Sequence, residues 1–223
     1  NEVSFSAYKG QIVGLLGPNG AGKSTTMNIM TGYIAATNGT VKIGDYDIEN
    51  NPIEAKSQIG YLPELPPLYK DMLVREYLEF VAELKYKKCD KKAYANEAME
   101  KTNIASVENR VIKKLSKGYQ QRVGIAAALI GNPPVLILDE PMVGLDPAQT
   151  KDMRELIKNL SATETIIISS HILSEINELC DHIVILSNGK VKAIDTTKAI
   201  INKESNKEDR IIKIIIKGNK DKI

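Results

Sequence analysis

The chain has 223 residues, with 30 Lys and Arg against 28 Asp and Glu, a formal net charge of +2, and 43% hydrophobic residues. That size suits one large globular domain or two modest ones, and the near balance of charge gives no global field for gripping nucleic acid. No apolar run approaches the ~18 residues of a membrane span. The two cysteines, Cys89 and Cys180, lie far apart with neither metal-ligand nor redox spacing, which predicts free thiols in a reducing compartment.

The chain opens at Asn1 rather than Met, inside a strand-like run, which predicts a segment of a longer protein. NEVSFSAY alternates apolar and polar residues, the mark of a half-exposed strand. QIVGLL, residues 11–16, is a short apolar run that reads as a buried strand. GPNGAGKST follows at residues 17–25, and TTMNIM then reads as a helix. Residues 38–48 predict a hairpin around Gly44-Asp45. Residues 59–69 predict a strand that runs into a loop punctuated by Pro63, Pro66 and Pro67. From Leu73 to about Thr102 the pattern is helical with few β-branched residues, a helical insert. A helix from Gly118 onward is stopped by Asn132-Pro133-Pro134. VLILDEP, residues 135–141, reads as a parallel strand buried on both faces and ending in two carboxylates. Asp146 and Pro147 supply an N-cap and first position for the next helix. TIIISS is a further buried strand, HILSEINELC a helix, and HIVILSNGKVKAI a hairpin turning at Asn188-Gly189. RIIKIIIK, within residues 209–217, has nothing after it to pair with and reads as the start of a further region. Alternating strands and helices give an α/β core with a parallel sheet.

Three stretches carry chemistry. Residues 17–25 fit the P-loop pattern G-x-x-x-x-G-K-[ST], with Gly17, Gly22, Lys23 and Ser24 in the fixed places and Pro18, Asn19, Gly20, Ala21 and Thr25 completing the cradle. A phosphate chain needs backbone N–H donors close by, and a loop poor in Cβ atoms lets the backbone approach. The N-terminus of the following helix adds partial positive charge. Lys23 supplies a point charge for the outer phosphates, and the Ser24 hydroxyl suits Mg²⁺. Strand, glycine-rich loop and helix is the setting this motif requires. Second, VLILDE ends an apolar strand with Asp139, placed to hold Mg²⁺ opposite Ser24, and Glu140, placed to polarise an attacking water. Third, LSKGYQQR stands at residues 115–122.

At this third stretch the sequence resembles the ATP-binding subunits of ABC transporters, over residues 1–196. Their signature is usually LSGGQ followed by QR. Leu115, Ser116, Gly118, Gln121 and Arg122 match, while Lys117 replaces a glycine and Tyr119 a glutamine. GLDP, residues 144–147, matches the D-loop with Asp146 its acidic residue. His171 in SSHIL stands at the switch histidine, and YLPE stands at the Q-loop with Glu64 in place of glutamine. Together these resemble a branch of bacterial exporters that includes gliding-motility, drug and sodium-extrusion ATPases.

The resemblance implies a P-loop NTPase with a RecA-like parallel core, an antiparallel β subdomain and a helical insert at about residues 65–115. Residues 197–223 would begin a truncated C-terminal extension. It implies ATP and Mg²⁺ as ligands, with Ser24, Asp139 and Glu64 near the metal and Glu140 and His171 catalytic. Ser116, Lys117 and Gly118 would reach the nucleotide held by a second copy of the chain. An integral membrane permease would be the other partner, with the protein cytoplasmic and peripheral on the inner face of the membrane, and with no nucleic acid expected. Two alternatives stay open. One is a non-transport ABC ATPase acting on DNA or ribosomes, which lacks a basic stripe here. The other is a nucleotide-gated module with little turnover. A small-molecule kinase has no use for LSKG or the histidine.

Overall fold

A computed structural model describes residues 3–86 and 90–197. Cys89 and the tail from residue 198 onward, including RIIKIIIK, lie outside the described residues. Six strands form one sheet. They are β1 (Ile12–Leu16), β4 (Ile59–Leu62), β5 (Val135–Leu138), β6 (Thr165–Ser170), β7 (His182–Ser187) and β8 (Lys190–Thr196), with β2 (Lys42–Ile43) and β3 (Tyr46–Asp47) set apart as an antiparallel pair. The order across the sheet is β4-β5-β6-β1-β7-β8. All pairings are parallel except β7 with β8. The turn joining those two strands has Asn188 at φ 52° and Gly189 at φ 69°, the paired left-handed residues that match the natural twist of a hairpin.

Strand periodicity decides which side chains face which helices. Val13, Leu15, Ile137 and Ile167 share one face with Met27 and Met30 of α1 (Lys23–Met30). Ile12, Leu16, Leu136, Leu138, Ile166 and Ile168 share the other with α6 (Pro147–Leu160) and α7 (Leu173–Leu179). Extending the same alternation one residue past β5 turns Asp139 to the α1 face, and within β6 it turns Ser169 the same way.

Between β4 and β5 the chain leaves the sheet. After α2 (Pro52–Ser57), which precedes β4, come α3 (Val74–Lys85), α4 (Lys91–Lys101), two 3₁₀ turns and α5 (Lys117–Leu129). These helices build a second core from Val74, Tyr77, Leu78, Ala95, Met99 and their neighbours. α5 belongs to both cores: Val123, Ala126 and Ile130 face the insert, while Ile125, Ala128 and Leu129 face the sheet. This helix begins one residue earlier than the sequence pattern predicts, at Lys117.

The amino-terminal stretch departs from expectation. Residues 3–8 form no strand. Val3, Phe5 and Ala7 are half-buried against the α1-face core and alternate with exposed neighbours. The alternating pattern therefore reads burial correctly, but ladder pairing is a separate requirement that it does not encode.

Candidate active site

Parallel strands bring their carboxyl ends to one edge, and ligands of open α/β sheets sit there. Here β1 ends at Leu16 and enters the P-loop, β5 ends at Leu138 before Asp139 and Glu140, and β6 ends at Ser170 before His171. Register places Leu16 beside Ser170 and Leu138 beside Ile168. Residues far apart in the chain thus converge because their strands are neighbours.

The P-loop leaves β1 with Gly17 pressed on the backbone of β7, where a Cβ would come within 2.4 Å of the Leu186 carbonyl oxygen. Gly22 caps α1 in a left-handed conformation at φ 102°. No side chain caps this helix and no acidic residue stands in its first turn, so its N–H groups are left for an anion. Pro18, Asn19, Gly20, Ser24 and Thr25 are exposed, whereas Ala21 is buried. Gly189 donates its N–H to the Ala21 carbonyl at 3.0 Å, which ties the loop to the β7–β8 turn.

Lys23 is only 6% exposed. Its ammonium donates to the Gly17 carbonyl at 2.7 Å and lies 3.4 Å from Glu140 Oε1. Glu140 Oε2 accepts from His171 Nδ1 at 2.9 Å, and since the carboxylate only accepts, this ring nitrogen carries the proton. Lys23, Glu140 and His171 are therefore one connected network. His171 reaches it from the surface, with its side chain 42% exposed.

Two serines that the motifs do not name hold this network in place. The Ser169 hydroxyl, within β6, donates to Asp139 Oδ1 at 2.5 Å and accepts the Glu140 N–H at 2.8 Å. Ser170 donates to Glu175 Oε2 at 2.7 Å and accepts the Ile172 N–H at 3.0 Å, bracing the His171 turn against α7. The Tyr61 hydroxyl donates to Asn28 Oδ1 at 3.4 Å, and burial together with the nearby Asp139 charge pushes its phenol up to about 12.

The remaining predicted residues stand apart from this network. Ser116 is exposed and caps α5, its hydroxyl accepting the Tyr119 N–H at 3.4 Å. Gly118 is buried in the first turn. Lys117 is exposed, and its ammonium lies 2.2 Å from where a Gly144 Cβ would stand. Gly144 is at φ 68°, so the glycine both adopts the turn and leaves room for the lysine. Asp146 is exposed and caps α6 by accepting the Gln149 N–H at 2.8 Å. Glu64 is exposed just past β4, and among the described residues no ion pair involves it. Tyr8, an exposed aromatic, lies at the opposite end of β1 from the P-loop: its carbonyl accepts from Thr165 at the start of β6 and from the N–H of Gln11, which precedes β1.

The donor set suits Mg²⁺. Ser24 offers an exposed hydroxyl at the first turn of α1 and Asp139 a carboxylate, hard oxygens of the kind that share the ion with phosphates and water. Among the described residues no cluster of three or more His, Cys, Asp or Glu could hold a metal alone.

A P-loop between strand and helix, with paired acids at the next strand end but one, defines a P-loop nucleoside triphosphatase domain. A family model described as ABC transporter matches residues 1–143, and the chain belongs to that family as an ATP-binding ATPase domain. It is 36% identical over 194 residues to the uncharacterized ABC transporter ATP-binding protein YdbJ of Bacillus subtilis (strain 168), covering 86% of this chain and 62% of that one. It is 35% identical over 218 residues to the linearmycin resistance ATP-binding protein LnrL of the same organism, covering 97% and 70%. To the bacitracin transport ATP-binding protein BcrA of Bacillus licheniformis it is 40% identical over 193 residues, covering 86% and 62%. The chain thus spans between 62% and 70% of these relatives' length. Among solved structures, an ATP-binding subunit of an ABC transporter aligns with TM-score 0.77 at 32% identity, covering 92% of this chain and 86% of that one. The dimeric post-hydrolysis state of an ATP-binding cassette bound to ADP and Pi aligns with TM-score 0.75 at 25% identity, covering 86% and 88%.

Proposed function

We propose that this chain is the ATP-hydrolysing subunit of an ABC exporter, working as a pair of copies on a separate membrane-embedded permease. The carrying observation is the Lys23–Glu140–His171 network beside an open P-loop. The relatives named for bacitracin transport and linearmycin resistance support export as the direction. Cytoplasmic placement against the inner membrane face follows from that partner; among the described residues no helix is long and apolar enough to cross a membrane.

The chain's own groups divide the work. Backbone N–H groups of residues 17–25 and the start of α1 hold the phosphates. Lys23 turns from Glu140 to the outer phosphates, and that exchange frees one carboxylate oxygen. Glu140 then takes up the attacking water's proton, with His171 fixing the carboxylate by its Nδ1 donor. Ser24 and Asp139 would hold Mg²⁺, which neutralises charge on the terminal phosphates when bound. The metal role of Glu64 rests on the resemblance alone. Ser116, Lys117 and Gly118 would close over the nucleotide of the second copy, with Asp146 in the loop beside them. Closure drives the permease because ATP binds the closed pair preferentially.

Steady-state ATPase measurements test this reading. Glu140→Gln should lower kcat by about 10²–10⁴-fold, while ATP-dependent pairing, read by sedimentation, persists or strengthens. Equal and negligible turnover by both proteins would favour a nucleotide-gated module instead.

A further inference from the structure

Ser169 is fully buried in β6, at 0% exposure, on the α1 face of the sheet, with its hydroxyl turned to Asp139 and Glu140. Its single hydroxyl makes two bonds, donating to Asp139 and accepting from the Glu140 N–H. Glu140 is a non-glycine residue at φ 48°, a conformation that persists only where its surroundings hold it. That turn points the Glu140 carboxylate at Lys23 and His171. Its buried N–H has the Ser169 oxygen as partner, and no second partner is seen among the described residues.

We propose that Ser169 is a positioning residue that sets the two acids relative to each other. By fixing Asp139 Oδ1 it leaves the other carboxylate oxygen for the metal. By holding the Glu140 N–H it keeps the left-handed turn that aims the water-polarising group. A valine or isoleucine would suit this buried strand position equally well by size and burial, and neither could make the two bonds. The proposal rests on the reading of Asp139 as a metal ligand and Glu140 as the group that polarises water.

The test compares the full chain as wild type, Ser169→Ala and Ser169→Thr. It reads kcat and KM for ATP, and the Mg²⁺ concentration for half-maximal binding of a fluorescent ATP analogue in a Glu140→Gln background. Removing an outer-shell partner of a metal ligand characteristically costs about 10–100-fold in metal affinity or activity. Ser169→Ala should therefore lower kcat about 10–100-fold with little change in KM, and raise the half-maximal Mg²⁺ concentration about tenfold. Ser169→Thr keeps the hydroxyl and should recover most of both. Should Ser169→Ala not fold, Ser169→Cys takes its place, because it keeps the volume and offers only a weak donor. Alanine and threonine variants equally impaired, or an alanine variant with wild-type kcat and Mg²⁺ dependence, would overturn the proposal. A wild type without turnover would instead count against the enzyme reading, and the Mg²⁺ titration would still decide the role of Ser169.

Discussion

Three described helices begin with a lysine and have no acidic residue in their first turn; α4 is capped by the carboxylate of Asp90, which leaves α1, with Lys23, and α5, with Lys117. A cation at a helix N-terminus opposes the macrodipole by about 0.3–1 kcal/mol, so each lysine needs a reason to be there. Lys23 finds its compensation inside the chain, buried against the Gly17 carbonyl and the Glu140 carboxylate. Lys117 is exposed, and among the described residues no ion pair involves it; its ammonium rests beside Gly144 instead. One anion-binding helix end is thus satisfied within the chain and waiting for exchange. The other carries its lysine on the surface, beside a first turn capped by Ser116. On the proposed reading this second end would meet a nucleotide held by another copy, and one aligned structure is a dimer.

Breaking the inner site should have the larger effect. Lys23→Ala removes both the phosphate charge and the partner of Glu140, and ATPase activity should fall by about 10²–10³-fold. Binding of ATP by the single chain, measured by equilibrium dialysis at dilution, should weaken as well. Breaking the outer site separates the two properties. Ser116→Ala should leave single-chain ATP binding within about twofold, yet lower ATP-dependent pairing and turnover about tenfold, as expected for loss of one hydrogen bond to a charged group. Equal loss of single-chain binding in both variants would erase the distinction between the two helix ends.

The inner site was far more legible in the sequence than what surrounds it. Residues 17–25, Asp139 and Glu140 follow from motif chemistry at fixed spacing and His171 from the family resemblance, and the strands that carry them were visible as short apolar runs. The hairpins at Gly44-Asp45 and Asn188-Gly189 were legible because two-residue turns demand residues that accept positive φ. Ser169 was missed, although the signal existed: a hydroxyl inside TIIISS, two residues before His171 and on the same strand face. Its two bonds depend on β5 lying beside β6, which the motif alone does not state. The failed strand at residues 3–8 has the opposite lesson, since its burial pattern was right and its pairing absent. Lys117 was legible as a departure from the signature, but its place beside Gly144 required two loops distant in sequence to meet.

The smallest expected effect concerns the other end of α5, which is closed by a side chain from α3. The Lys85 ammonium, at the end of α3, lies 3.2 to 3.4 Å from the carbonyl oxygens of Ala127, Ala128 and Ile130, the acceptors that a helix C-terminus leaves unpaired. Lys85 is exposed as a residue, yet burial of the ammonium lowers its pKa from 10.5 to about 8. Between those values the unfolded chain holds a proton that the folded chain has released, so stability should rise with pH across that window and stay level below it. Solvent screening at an exposed residue holds the effect to about 1 kcal/mol or less, about 2–4 °C in Tm for a chain of this size. Melting curves of wild type and Lys85→Met from pH 7 to 10.5 isolate the contribution. The wild type should gain on the variant above about pH 8. A difference that instead shrinks with rising pH would mean that the three carbonyls outweigh burial and keep the lysine charged. In that case α5 would be held by fixed charge at its carboxyl end and by the Ser116 cap at its amino end.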